Sequence, residues 1–191
     1  SFRRDDAAQW ERYGNRGRGV CIAFRGDLLR RMAEGPLSLH TVFYEDDMTG
    51  HPMVDRFCRL IRDREALTGC ERDIRLAMRD AWACSVAFKH PSFSSEDEVR
   101  LVVAPFGQEE FDVQPRYHVT KERVKKYYPL DLRDMCGRAG AALEELVAEI
   151  IIGPESTQSL AILRDYLRDN GLAPLAENVS LSDCPLRGMP V

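Results

Sequence analysis

Residues 149–153 of this chain of 191 residues read Glu-Ile-Ile-Ile-Gly and contain an apolar run of three isoleucines. The run has the length of a strand and is far shorter than the roughly 20 apolar residues that a membrane span needs. Gly153 and Pro154 follow it and interrupt regular structure. The sequence therefore predicts a strand at 150–152 and no transmembrane helix.

A second strand is predicted at Gly19-Val20-Cys21-Ile22-Ala23-Phe24, where the large apolar side chains share one face and the small ones share the other. Because neither face is polar, we expect this strand to be buried on both sides. Further strand patterns cover residues 39–44, 99–103, 111–119, 126–130 and 179–181. Helical patterns cover a short segment capped by Asp5 or Asp6, two helices within 52–88, residues 141–147 and a segment capped by Ser156 or Thr157.

These elements do not alternate as regular βαβ units, which favours an α+β fold. We expect a mixed, largely antiparallel sheet with a helical insertion and a C-terminal helix, in a single domain over residues 1–191. Hydrophobic residues make up 44% and charged residues 30% of the chain, as in globular proteins with a well-solvated surface.

The net charge of −4 gives the whole chain no strong electrostatic footprint for nucleic acid. Eight arginines and four acidic residues occupy the first 31 positions, a pattern that fits a solvated face or, less well, an anion site. The six cysteines form no C-x-x-C pair and no metal motif. We interpret them as reduced, buried thiols, which predicts a cytoplasmic location and no membrane partner.

The densest cluster of chemically active side chains is the Glu96-x-Glu98-x-Arg100 pattern. If the following strand begins here, all three side chains project from one face, with the two carboxylates about 7 Å apart. Such a pair can orient a substrate hydroxyl and stabilise developing positive charge. The alternative is a solvated strand entrance in which Glu98 and Arg100 form an ion pair of little energetic value.

Two further groups are candidates for substrate binding. Lys89 and His90 lie in a polar, aromatic loop that either supplies positive charge for phosphates or anchors the loop to the core. Trp10 and Tyr13 could stack on a base or fill the core. A glycine pattern at 14, 17 and 19 is reminiscent of a phosphate loop, but it lies between a helix and a strand, the reverse of the order such loops need.

Taken together, the chain resembles the bacterial family catalogued as domain of unknown function 2971. The matching motifs span nearly the whole chain: Trp10-x-x-Tyr13-Gly14, Gly19 to Phe24, Phe88-Lys89-His90, Glu96-x-Glu98-x-Arg100, residues 149–154 and Ser182-x-x-Pro185-Leu186-Arg187. The resemblance implies that this chain is the C-terminal portion of a longer family domain. It leaves the oligomeric state open.

A more distant similarity is to ADP-ribosyltransferases, whose later strand opens with Glu-x-Glu. It implies Glu98 and Glu96 as catalytic residues, with Glu98 stabilising the oxocarbenium ion formed as nicotinamide leaves. Lys89, His90, Arg100, Tyr13 and Trp10 would then bind the substrate, NAD or another small nucleotide. The alternative function is a non-catalytic sensor or protein-interaction module.

Overall fold

The computed structural model describes residues 1–33, 37–62, 81–82, 84–103 and 114–185. In this part of the chain the fold is α+β with small, mostly antiparallel sheets, as predicted. The chain forms two compact units. The first contains residues 1–31, 95–98 and 136–191, and the second contains residues 32–94 and 99–135.

The helices are α1 Ala7–Tyr13, α2 Gly26–Met32, α3 Pro52–Arg62, α4 Leu132–Arg138, α5 Leu143–Leu146, α6 Leu160–Asp169 and α7 Ala173–Ala176, together with a 3-10 helix η1 at Pro91–Glu96. The strands are β1 Val20–Phe24, β2 Leu37–Thr41, β3 Phe43–Tyr44, β4 Phe88–Lys89, β5 Val99–Val103, β6 Arg116–Val119, β7 Val124–Tyr127, β8 Val147–Ile152 and β9 Val179–Leu181.

The first unit is built around the Glu-Ile-Ile-Ile run, which forms most of the central strand β8 of a three-stranded sheet. Strand β1 pairs with it in antiparallel orientation and β9 in parallel orientation. Ile150 and Ile152 pack into a buried cluster with residues of α6, α7 and β9. Ile151 is fully buried as well, so β8 contributes large apolar side chains on both faces of the sheet.

Strand β1 is present as predicted, but its predicted burial on both sides is wrong. Val20, Ile22 and Phe24 are 50%, 48% and 40% exposed. The physical reason is position: within the described chain β1 has only β8 as a neighbour, so it is an edge strand of this sheet. The large side chains therefore share an apolar face that is only half covered.

In its described residues the second unit contains three two-stranded pairings: β2 with β5 and β6 with β7 in antiparallel orientation, and β3 with β4 in parallel orientation. The predicted strand at 39–44 is two strands in separate sheets, joined through the buried Val42. The ring of His51 packs against the rings of Phe43 and Phe88, with centroid distances of 4.4 and 4.9 Å.

Several helix ends follow the local sequence. The Asp6 carboxylate accepts hydrogen bonds from the backbone N–H groups of Ala8 and Gln9 at 3.0 and 3.1 Å, so Asp6 is the N-cap of α1. Helix α6 is capped by Ser159, three and two residues after the predicted Ser156 and Thr157. The helices α4 and α7 were not predicted. The sequence Thr68-Gly69-Cys70-Glu71 also predicts a capping box, but these residues lie outside the described part of the chain.

Five of the six cysteines lie in the described part of the chain, and all five are free thiols. Burial raises the pKa of the Cys21 and Cys136 thiols, which keeps them protonated and unreactive. Only Cys136 is fully buried, however, and the other four are partly exposed, so the interpretation of buried thiols holds for Cys136 alone. None of the described helices is long and apolar enough to cross a membrane.

Candidate functional site

The Glu96-x-Glu98-x-Arg100 pattern does not form one strand face. Glu96 is the last residue of the 3-10 helix η1, Glu98 lies just before β5, and only Arg100 is in the strand. The expectation that their three side chains alternate along one strand is therefore wrong. The local reason is the backbone of Asp97, whose φ of 44° breaks the extended conformation between the two glutamates.

The Glu96–Glu98 turn is anchored to helix α1. Glu96 is 4% exposed, and its carboxylate accepts a hydrogen bond from the Arg12 guanidinium at 3.0 Å. The side-chain amide of Gln9 donates to the Glu96 carbonyl at 3.3 Å. Because a carboxylate leaves water at high cost unless it is paired, the Arg12 contact accounts for the burial of Glu96.

A third anchor holds the residue between the glutamates. The backbone N–H of Phe2 donates to the Asp97 carbonyl at 3.0 Å. A residue other than glycine in the left-handed region costs free energy and persists only where its surroundings fix it. The turn that carries the half-buried Glu98 is thus fixed by contacts from Phe2, Gln9 and Arg12.

Tyr13 lies on the helix face that makes these contacts. It follows Gln9 by four positions and Arg12 by one, and residues four apart lie above each other on one face of a helix. Its side chain is 65% exposed. The first unit therefore presents an exposed aromatic ring on the side of α1 to which the glutamate turn is attached.

Trp10 occupies the core, the second of the two roles expected for it. It is 3% exposed, and its indole N–H donates to the Asp5 carboxylate at 2.6 Å. The same carboxylate accepts hydrogen bonds from the Ser182 hydroxyl and from the Asp183 backbone N–H. Burial alone would raise the pKa of Asp5, but these donors outweigh it and hold the pKa below its ordinary value.

The other candidate residues belong to the second unit. His90 Nδ1 accepts from the Ser92 backbone N–H at 3.2 Å, and its Nε2 lies 3.1 Å from an Asp46 carboxylate oxygen. The ammonium of Lys89 lies 4.8 Å from the centroid of the Phe93 ring. These contacts hold the loop at the surface, at the start of η1, since His90 and Phe93 are exposed; they do not anchor it to the core as the predicted alternative had it.

Arg100 is also engaged within the second unit. Its guanidinium donates to the Val86 carbonyl, in the helical segment that precedes β4. The structure thus places Glu96, Glu98, Trp10 and Tyr13 in the first unit. It places Lys89, His90 and Arg100 in the second unit.

An ion-pair network in the first unit was missed from the sequence. The guanidinium of Arg4 donates two hydrogen bonds to the Glu149 carboxylate at 2.7 and 2.8 Å, and the Ser180 hydroxyl donates to the same group at 2.8 Å. Chiefly because of the Arg4 hydrogen bonds, the pKa of Glu149 is lowered. The partners are far apart in sequence, so no local pattern could have indicated this link.

The glycine loop, residues 14–19 after α1, packs against the backbone around it. Its backbone N–H groups at Gly17, Arg18 and Gly19 donate to carbonyls of the same region, and the N–H of Gly153 donates to the Gly19 carbonyl at 2.9 Å. The donors that would hold a phosphate are therefore used internally. Among the residues described, no group of three or more His, Cys, Asp or Glu side chains could hold a metal ion.

The fold and this site define an α+β protein with a carboxylate-bearing turn fixed against its first helix. Residues 9–101, just under half of the chain, match the family described as Protein of unknown function (DUF2971). No curated protein and no solved structure matches the chain.

The match lies in the N-terminal half of this chain, whereas we expected a resemblance that spans nearly all of it and corresponds to the C-terminal part of the family. It includes Trp10, Tyr13, Glu96 and Glu98. The motifs at 149–154 and 182–187 lie outside it.

Proposed function

We propose that the protein is an ADP-ribosyltransferase-like transferase or glycohydrolase that cleaves the N-glycosidic bond of NAD or a related nucleotide, with Glu98 as its catalytic carboxylate. The observation that carries the proposal is the anchored turn. Contacts from α1 and from Phe2 fix the two residues that precede Glu98. A carboxylate that is positioned before the substrate binds stabilises developing positive charge better than water does.

In the reaction we propose, the bond between C1′ of the ribose and the nicotinamide nitrogen breaks, and its electron pair stays on that nitrogen. The nicotinamide leaves as a neutral molecule, and the ribosyl group becomes an oxocarbenium ion. Glu98 stabilises this cation. A water oxygen, or an acceptor atom of another molecule, then forms the new bond to C1′ and loses its proton to solvent.

Two other residues of the first unit are assigned supporting roles. We propose that the exposed ring of Tyr13 stacks on the base or on the nicotinamide. Glu96 was expected to be catalytic, but its carboxylate is buried against Arg12, so we propose that it positions the turn. Substrate binding by Lys89, His90 and Arg100 stays a prediction.

The test is turnover by the purified chain offered NAD and other nucleotides, with release of nicotinamide or free base measured by chromatography. The Glu98→Gln variant keeps the shape and removes the charge, so we expect kcat to fall by about 100- to 1000-fold. Its free energy of unfolding should stay within about 1 kcal/mol of the parent. Tyr13→Leu should raise KM more than it lowers kcat.

Glu155→Gln is the matched control, since Glu155 is an exposed glutamate of the same unit. It should leave turnover unchanged. If the parent protein neither binds nor cleaves any of these nucleotides, or if Glu98→Gln is as active as the parent, the enzyme proposal is wrong.

The second candidate is a non-catalytic interaction module. The half-exposed apolar face of the edge strand β1, formed by Val20, Ile22 and Phe24, favours it. Exposed apolar edges of sheets are common sites of association with other chains. Loss of association without any change in nucleotide turnover in an Ile22→Lys variant would separate this function from the enzymatic one.

A further inference from the structure

The antiparallel hairpin formed by β6 and β7 is the most exposed regular element of the second unit among the residues described. Every residue of Arg116–Val119 and of Val124–Tyr127 is exposed, as are Lys121, Glu122 and Arg123 in the connecting turn. A two-stranded hairpin with both faces in water is only marginally stable by itself. The hairpin therefore depends on its local hydrogen bonds, and the side chains on both of its faces are open to solvent.

The turn of the hairpin is well formed. The Thr120 backbone N–H donates to the Arg123 carbonyl at 3.0 Å, and the Thr120 hydroxyl donates to the same carbonyl at 2.9 Å. The hydroxyl oxygen also accepts from the Arg123 backbone N–H at 3.1 Å. These bonds fix the tip and keep the strand register without a covering layer of side chains.

The hairpin concentrates positive charge in an acidic protein. Residues 116–127 contain five lysines and arginines and a single acidic residue, Glu122, which gives this segment a net charge of +4 with His118 neutral. The chain as a whole has a net charge of −4. An average over the chain hides this separation of charge, which is why the sequence as a whole indicated no strong nucleic-acid footprint.

The register of β6 and β7 shows which charged residues share a face of the hairpin. Arg116 lies opposite Tyr127 and His118 lies opposite Lys125, so these four residues share one face, the basic face. The opposite face carries Tyr117, Val119, Val124 and Lys126. Tyr127 on the basic face is 44% exposed and thus offers a ring between cationic side chains.

We propose that the basic face of the β6–β7 hairpin binds single-stranded nucleic acid, with phosphates on Arg116 and Lys125 and a base stacked on Tyr127. Cationic side chains that alternate with exposed aromatic rings are the combination that binds single strands without sequence preference. An anionic membrane fits less well, because residues 116–127 contain no Trp, Phe or Leu to enter the lipid and their two tyrosines, Tyr117 and Tyr127, lie on opposite faces of the hairpin. The inference is independent of the proposed nucleotide cleavage.

The test is fluorescence anisotropy of labelled 20-nucleotide oligo-dT and oligo-U, titrated with the whole chain at 50 to 200 mM salt. We expect affinity to fall steeply with salt. In an Arg116→Gln/Lys125→Gln variant the slope of log K against log salt should become shallower by about 1.4, or about 0.7 for each lost phosphate contact. Tyr127→Leu should weaken binding by about fivefold or more through loss of stacking.

Arg30→Gln/Arg31→Gln is the matched control, because it removes the same charge from two exposed positions of helix α2. It should leave both affinity and slope unchanged. Far-UV circular dichroism checks that each variant is folded, and the substituted side chains are all exposed. The proposal is overturned if neither oligonucleotide binds at 50 mM salt, or if the control weakens binding as much as the hairpin variant. It is also overturned if Tyr127→Leu binds as tightly as the parent, or if anionic phosphatidylserine vesicles bind more tightly than the oligonucleotides.

Discussion

At the scale of single residues, the pairing of Arg12 with Glu96 governs the candidate site. The Glu96 side chain is 5% exposed and the Arg12 side chain 43% exposed, so the pair is buried at one end only. Water at the guanidinium screens the attraction, and the pair is worth less than a fully buried one. Removing Arg12 nevertheless takes a charged partner from a carboxylate that water hardly reaches.

We therefore predict that Arg12→Met lowers the free energy of unfolding by about 1 to 3 kcal/mol, measured by urea denaturation. Arg16→Met is the matched control. The Arg16 side chain is 82% exposed and lies 3.9 Å from the Glu11 carboxylate, so its loss should cost less than about 0.5 kcal/mol. Equal stability of the two variants would contradict the role assigned to the Arg12–Glu96 pair.

Residue types indicated Glu96 and Glu98 as candidates but did not predict the geometry around them. The backbone break at Asp97 is accompanied by a hydrogen bond from Phe2, which is distant in sequence. The same holds for Arg4 and Glu149, which are 145 positions apart. Contacts of this kind leave no local periodicity from which they could be predicted.

At the scale of elements, the close approach of the glycine loop to the end of β8 holds β1 and β8 in register. A Cβ atom at Gly153 would meet the Gly17 carbonyl group, with the Gly19 carbonyl oxygen 2.9 Å away. The Gly153 N–H donates to that oxygen. Backbone carbonyls cannot rotate away as the end of a flexible side chain can, so only glycine fits at this position.

We predict that Gly153→Ala destabilises the protein by about 2 kcal/mol or more, as overpacking against backbone does. Gly137→Ala provides the control, because nothing lies within 4 Å of a Cβ at this position in helix α4. It should be neutral or stabilising by up to about 1 kcal/mol. Thermal denaturation of both variants measures the difference, and a Gly153→Ala protein as stable as the parent would refute the packing argument.

Elements with a strong apolar pattern were predicted better than their surroundings. Strands β1, β5, β8 and β9 lie where alternation or apolar runs indicated them. The exposed face of β1 was not predicted, because an apolar strand at a sheet edge has the same sequence pattern as one in the middle. Short helices such as α7, with four residues, carry too few periods to be recognised.

At the scale of the whole molecule, burial differs sharply between the strands. Ile151 and Ile152 in β8 are 0% and 1% exposed, whereas every residue of β6 and β7 is exposed. The sequence predicted strands at both places. It could not predict which strand lies at the centre of a sheet, because that depends on pairings between distant segments.

This contrast predicts a gradient of backbone amide hydrogen exchange. Amides in buried strands open only with an unfolding free energy close to the global one, while amides of exposed, marginal elements open at low cost. The amides of β8 should therefore exchange most slowly in the described chain, and those of β6 and β7 should exchange orders of magnitude faster. Exchange followed by NMR, corrected for intrinsic rates, measures both.

Strand β1 provides an internal control for the exchange experiment, because alternate amides of this one strand point in opposite directions. The carbonyl of Gly19 accepts from Gly153, and antiparallel pairing alternates, so the N–H groups of Cys21 and Ala23 point towards β8. Those of Val20 and Ile22 point to the open edge. We expect slow exchange at Cys21 and Ala23 and fast exchange at Val20 and Ile22. Uniform protection along β1 would mean that another chain covers its edge. Slow exchange in the β6–β7 hairpin of the free protein would contradict the exposed surface on which nucleic-acid binding is proposed.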